Sequence, residues 1–104
     1  MFTFIESSIF AKELAKYLSD DEYRELQTFL IANPDSGNII PGLGGVRKLR
    51  WKVRGQGKRG GVRVIYYLQS RNREIWLLTL YSKSRLTNIP GHILKQLKEA
   101  FENV

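Results

Sequence analysis

Several things are missing from this chain of 104 residues. It has no cysteine, so it holds no disulfide and no thiolate metal ligand. Its one histidine is His92, and neither a triad partner nor a metal-ligand cluster accompanies it. No metal and no cofactor are expected. The longest apolar run, Ile75 to Tyr81, is far too short to span a bilayer. The opening residues lack a charged-then-apolar signal pattern. These absences lead to the expectation of a soluble, cytoplasmic protein without a membrane partner. No internal repeat or low-complexity tract occurs, and the length fits one domain over residues 1–104.

The most informative absence is local. Between Ser36 and Arg73 there is no Asp or Glu, against ten Lys or Arg. The cations are Arg47, Lys48, Arg50, Lys52, Arg54, Lys58, Arg59, Arg63, Arg71 and Arg73. Residues 1–35 carry seven acids and three bases, residues 74–104 three acids and four bases, and the whole chain a net +7. Charge segregated in this way points to a directed binding face rather than to general solubility. A single-sign field costs stability through self-repulsion and suits a polyanionic partner.

The basic stretch reads as two strands joined by a glycine-rich loop. Alternation places Leu49, Trp51 and Val53 on one face of the first strand and Lys48, Arg50 and Lys52 on the other. In the second strand Val62, Val64, Tyr66 and Leu68 share a face, and Arg63, Ile65 and Tyr67 share its opposite. In-register pairing brings Arg63 beside some of these cations. Arg grips phosphate through two parallel hydrogen bonds, whereas Lys acts as a point charge. The loop Arg54-Gly55-Gln56-Gly57-Lys58-Arg59-Gly60-Gly61 is too long for a two-residue turn and is not a Walker loop, since no Lys-Ser/Thr follows at the required spacing. Arg47, Arg50, Lys52, Lys58 and Arg59 are the candidate RNA contacts from this region.

The flanking segments read as scaffold. Phe2-Thr3-Phe4-Ile5 is a short strand. Ser7 or Ser8 caps a helix with apolar residues Ile9, Phe10, Leu14 and Leu18. Ser19-Asp20-Asp21-Glu22 is a capping box, which explains these acids without catalysis. Tyr23, Leu26, Phe29 and Leu30 form the stripe of a second helix, ended at Asn33-Pro34. Asp35 to Gly45 reads as a loop, and Glu74 to Tyr81 as a buried strand. Pro90 opens a last helix with apolar face Ile93, Leu94, Leu97, Ala100, Phe101 and Val104. Trp51 and Trp76 have rings that can stack on bases, but their faces also hold aliphatics, which assigns both to the core. The elements predict an α+β domain: a small, mainly antiparallel sheet, two N-terminal helices packed on it and a C-terminal helix.

Gly44-Gly45-Val46-Arg47-Lys48-Leu49-Arg50, then Gly61-Val62-Arg63-Val64-Ile65-Tyr66, then Leu80-Tyr81-Ser82-Lys83 together resemble the RelE/HigB superfamily of toxins from bacterial type II toxin–antitoxin systems, with the HigB branch the nearer. The likeness implies a RelE-like, microbial RNase-like fold. It also implies an mRNA interferase, a ribosome-dependent endoribonuclease that cuts messenger RNA in the ribosomal A site without metal. By the same likeness Lys48 and Arg50 match the family's basic pair, Arg63 its strand arginine and Lys83 its later basic residue, with Arg85 the alternative. Arg63, Lys48 and Lys83 are therefore the candidate catalytic residues, and Arg85 joins the RNA contacts. The implied partners are mRNA on the ribosome and a cognate antitoxin, a helix-turn-helix (HigA-like) protein being one form. Some members carry a tyrosine where this chain has Ile89, so that residue's role does not transfer; Tyr66, Tyr67 and Tyr81 are the substitutes to test. The residues alone reach a basic, RNA-binding-capable domain, which leaves a non-catalytic RNA- or ribosome-binding module, or an inactive family member, as the alternative.

Overall fold

The computed structural model describes residues 1–53, 61–82 and 89–102. Within them the helices begin where side chains satisfy the first free amides. Ser7 caps α1 (Ser8–Tyr17) by accepting from Phe10 N, and Ser19 and Glu22 form a complete capping box on α2 (Asp20–Ala32). Asn33 ends α2 as expected, its amide donating to Phe29 O. Two details of α1 differ from the sequence reading. Leu18 is the C-cap rather than a helical residue, yet it is buried; Ile9 is 43% exposed. The helix turns Phe10 and Leu14 inward, and the extended cap swings Leu18 back to the core.

Five strands form one mixed sheet in the order β1-β5-β4-β3-β2. They are β1 (Thr3–Glu6), β2 (Asn38–Ile39), β3 (Val46–Trp51), β4 (Val62–Gln69) and β5 (Glu74–Ser82). β1 runs parallel to β5, and the other pairings are antiparallel. β2 lies inside the stretch that reads as a loop; two residues with no apolar alternation leave no strand signal. β4 and β5 are interior strands, and residues 75–81 of β5 are all buried.

The sheet has unlike faces. On one, Phe10, Leu18, Leu26 and Leu30 from the α1–α2 layer pack with Leu49, Val62, Val64, Tyr66, Ile75, Leu77 and Leu80. On the other, α3 (Gly91–Glu102) sets Leu94, Leu97 and Phe101 against Val46, Ile65, Trp76 and Leu78. Phe101 stacks on Trp76 at 5.1 Å, and Trp76 meets Tyr67 at 5.1 Å. Trp51 meets Phe29 of α2 at 5.3 Å, which puts both tryptophans in packing roles.

A β-bulge breaks the alternation of β5. Ile65 pairs with Thr79 and Tyr66 with Leu77, so Leu78 has no counterpart on β4. Ser7 pins this irregularity: its hydroxyl donates to Leu78 O at 2.6 Å, and its amide donates to Leu77 O at 3.0 Å. Beyond the bulge Leu80 points to the α1–α2 layer and Tyr81 to the other face.

Candidate functional site

Three rows run across β3, β4 and β5 on the face that carries α3. The first is Val46, Tyr67 and Trp76; the second Lys48, Ile65 and Thr79; the third Arg50, Arg63 and Tyr81. The helix contacts residues of the first row. In the others, Arg50 is exposed and Lys48 and Arg63 are half-buried. Directly opposed strand residues lie about 5 Å apart, and i,i+2 neighbours about 7 Å. Lys48, Arg50 and Arg63 therefore form one tight cationic cluster on rigid strands.

Arg50 and Arg63 are direct cross-strand partners, an arrangement that costs stability when both carry like charge. The neighbouring strand positions Lys48, Ile65 and Tyr81 supply no carboxylate to relieve it. Glu74 shares this face but starts the opposite end of β5, roughly 20 Å away along the strand, and accepts from the Trp76 indole at 3.0 Å. Glu13 and Glu25 are the acids the sequence offers as structural partners for Arg63. They belong to α1 and α2, whose packing is on the other face, and Glu13 pairs with Lys16 at 2.8 Å.

Tyr81 completes the third row. It is 5% exposed, and among the described residues its hydroxyl has no hydrogen-bond partner. Burial pushes its phenol above the ordinary tyrosine value, and the charge of Arg63 pulls it the other way. Tyr66 is its foil. That hydroxyl accepts from Gly37 N at 2.9 Å and donates to Pro34 O at 2.8 Å, so it ties the segment before β2 to the sheet.

The remaining sequence candidates separate. Arg47 sits on the α1–α2 side of β3, where it pairs with Tyr66, and donates to Asp35 O at 3.0 Å and Gly37 O at 2.8 Å. It stands apart from the cationic row. Lys52 is exposed just past β3. Lys58, Arg59, Lys83 and Arg85 lie outside the described residues. His92 is exposed near the start of α3. Among the described residues no group of three or more His, Asp or Glu side chains gathers to hold an ion, and no helix is long and apolar enough to cross a membrane.

No model of a known protein family matches the sequence. Among solved structures, the chain is similar to the toxin RelE of E. coli in its free state, in a variant with two arginines replaced by alanine. The TM-score is 0.60 at 14% identity, covering 95% of this chain and 96% of that one. The fold is RelE-like. Three helices and a five-stranded mixed sheet, with the basic strands in its middle, make up the shared α+β architecture. An identity of 14% carries the fold and leaves the HigB branch and the activity to be argued from the site.

The sequence offers Tyr81 only alongside Tyr66 and Tyr67 as a substitute for the family's tyrosine and does not single it out. Strict alternation along β5 puts Tyr81 with Ile75 and Leu77, toward the helices. The bulge reverses this, and no residue type at Leu78 or Thr79 marks it in the sequence.

Proposed function

We propose that the chain is a RelE/HigB-type toxin that cleaves messenger RNA on the ribosome without metal, and that the Lys48–Arg50–Arg63 cluster grips the scissile phosphate. The observation that carries this reading is the opposed Arg50–Arg63 pair beside Lys48, unrelieved by a carboxylate on neighbouring strand positions. A polyanion is the partner that turns this repulsion into attraction. In the proposed reaction the 2′-oxygen attacks the adjacent phosphorus. The O2′–P bond forms, the P–O5′ bond breaks, a proton leaves the 2′-hydroxyl and another arrives at the departing 5′-oxygen. Negative charge gathers on the phosphoryl oxygens in the transition state, where preorganised cations contribute most. In-line placement of the 2′-hydroxyl, aided by the ribosome, contributes another large share. Lys83 and Arg85 remain candidates for the proton transfers and for further phosphate contacts.

Arg63 is assigned the chief role. It is the second residue of β4, set between Val62 and Val64, both buried, and rigid elements hold catalytic groups best. The test uses purified ribosomes programmed with a defined message. Wild-type protein should produce discrete cleavage ends, at the same rate whether or not it is stripped with a chelator before being added to the ribosomes. Arg63→Lys retains charge but loses the planar fork; it should melt normally, bind ribosomes nearly as well and cleave about 10²-fold more slowly. Near-normal cleavage by this variant, or a loss explained by unfolding, removes Arg63 from the role. Translation arrest without cleavage ends favours the second reading, a non-catalytic ribosome-binding module, which the same cations also support.

A further inference from the structure

We infer that the Tyr81 hydroxyl is a fourth member of the site, donating a hydrogen bond to a non-bridging oxygen of the phosphodiester held by Arg63. The inference rests on the preceding reading of the cationic cluster as a phosphate site. It starts from an orphan. Buried phenols ordinarily find a partner, and Tyr66, one strand away, has two. Tyr81 is also buried, yet its oxygen has none among the described residues.

The neighbourhood explains what is missing. Tyr81 is the cross-strand partner of Arg63, and Arg63 is the partner of Arg50. Arginine and lysine side chains donate and never accept. The row and the neighbouring Lys48 therefore offer guanidinium, ammonium and phenol protons, and the charged members provide no acceptor for the phenol. Burial favours the protonated phenol over the phenolate, so near neutral pH the group acts as a donor. The acceptor that complements all of these donors is an anionic oxygen cluster, and a phosphodiester supplies two non-bridging oxygens. One faces the guanidinium and the other the phenol. Because the Tyr81 oxygen is closed to solvent in the free chain, the contact forms on binding, as the half-buried Arg63 side chain shifts to grip the phosphate. The bulge at Leu78, pinned by Ser7, is what places the hydroxyl on this face.

Tyr81→Phe removes the hydroxyl and preserves the ring. Three measurements follow: the melting temperature, the cleavage rate on programmed ribosomes at saturating ribosome, and the affinity of the purified chain for a short RNA with a 2′-deoxy residue at the cleavage position, which binds but is not cut. The variant should melt at or above the wild-type temperature, because no hydrogen bond among the described residues is lost. Its affinity should fall about tenfold, the effect of one hydrogen bond to a charged oxygen, and its saturated cleavage rate should fall as well, because the bond strengthens as charge gathers on the phosphoryl oxygens. Tyr66→Phe is the control: it should lower the melting temperature and leave the rate per folded molecule unchanged. Unchanged rate and affinity in Tyr81→Phe overturn the inference, as does a drop in melting temperature like that of the control, which reveals a structural partner. If wild-type protein cuts no message, the toxin reading fails by itself; the non-cleavable strand still decides the role of Tyr81, since equal affinities overturn it.

Discussion

The two faces of the sheet spend their polar groups differently. Under α1 and α2, the polar atoms that reach the core are bound within the chain: Tyr66 to Gly37 and Pro34, Arg47 to the Asp35 and Gly37 carbonyls. On the opposite face α3 closes one end with an aromatic stack, and the other end presents Lys48, Arg50, Arg63 and Tyr81, whose hydroxyl has no partner among the described residues. Adjacent residues of one strand, Arg47 and Lys48, thus have unrelated tasks. A basic residue in this fold cannot be assigned from its charge alone; the face it occupies decides whether it braces the chain or stays available to an anion.

The largest effect comes from exchanging the faces' roles at neighbouring positions of β3. Leu49 is 9% exposed and packs in the α1–α2 core, so Leu49→Ala should destabilise by about 2–5 kcal/mol. Lys48→Ala should shift the melting curve little and lower cleavage. Chemical denaturation of both variants checks this. If Lys48→Ala proved the more destabilising, the cationic row would be part of the scaffold and the contrast between the faces would fail.

That contrast was largely legible in the sequence. Alternation sorted Leu49, Trp51 and Val53 from Lys48 and Arg50 because side chains on a strand reverse at every residue. Ser19 and Glu22 announced their helix through local hydrogen bonds. What alternation alone could not supply depended on contacts between distant segments. Arg47 alternates correctly onto the core-side face, but its two carbonyl acceptors come from a segment that reads as a loop. The parallel β1–β5 pairing joins residues some seventy positions apart. Tyr81 was hidden by the extra residue at Leu78, and that irregularity is fixed by Ser7 near the other end of the chain.

A smaller effect, on the braced face, tests how tightly the Tyr66 corner is built. Gly37 is buried, and a Cβ there would lie 2.8 Å from Tyr66 Cε1 and 3.2 Å from Arg47 Cβ. The ring is fully buried and its hydroxyl is bound at two points, so it has little room to retreat. Gly37→Ala should destabilise by about 1–3 kcal/mol, while the rate per folded molecule on programmed ribosomes stays near wild type. A neutral melting temperature would show that the corner yields, and that Tyr66 is not the brace described above.

The smallest effect distinguishes the cations through binding alone. Binding to a single strand weakens with salt, and each phosphate contact contributes about 0.7 to the slope of log affinity against log salt. Lys48→Ala and Arg50→Ala should each flatten the slope by about that amount, and the double variant by about 1.4. Arg47→Ala should leave the slope unchanged when measured well below its melting temperature, because its guanidinium faces the helices and is bound to two carbonyls. The titration therefore compares the faces through three cations within four consecutive residues. An unchanged slope in the Lys48/Arg50 double variant would move the RNA off this face. A flattened slope in Arg47→Ala would mean that the brace lets go of its carbonyls in the complex, and that the two faces are less separate than the free chain makes them.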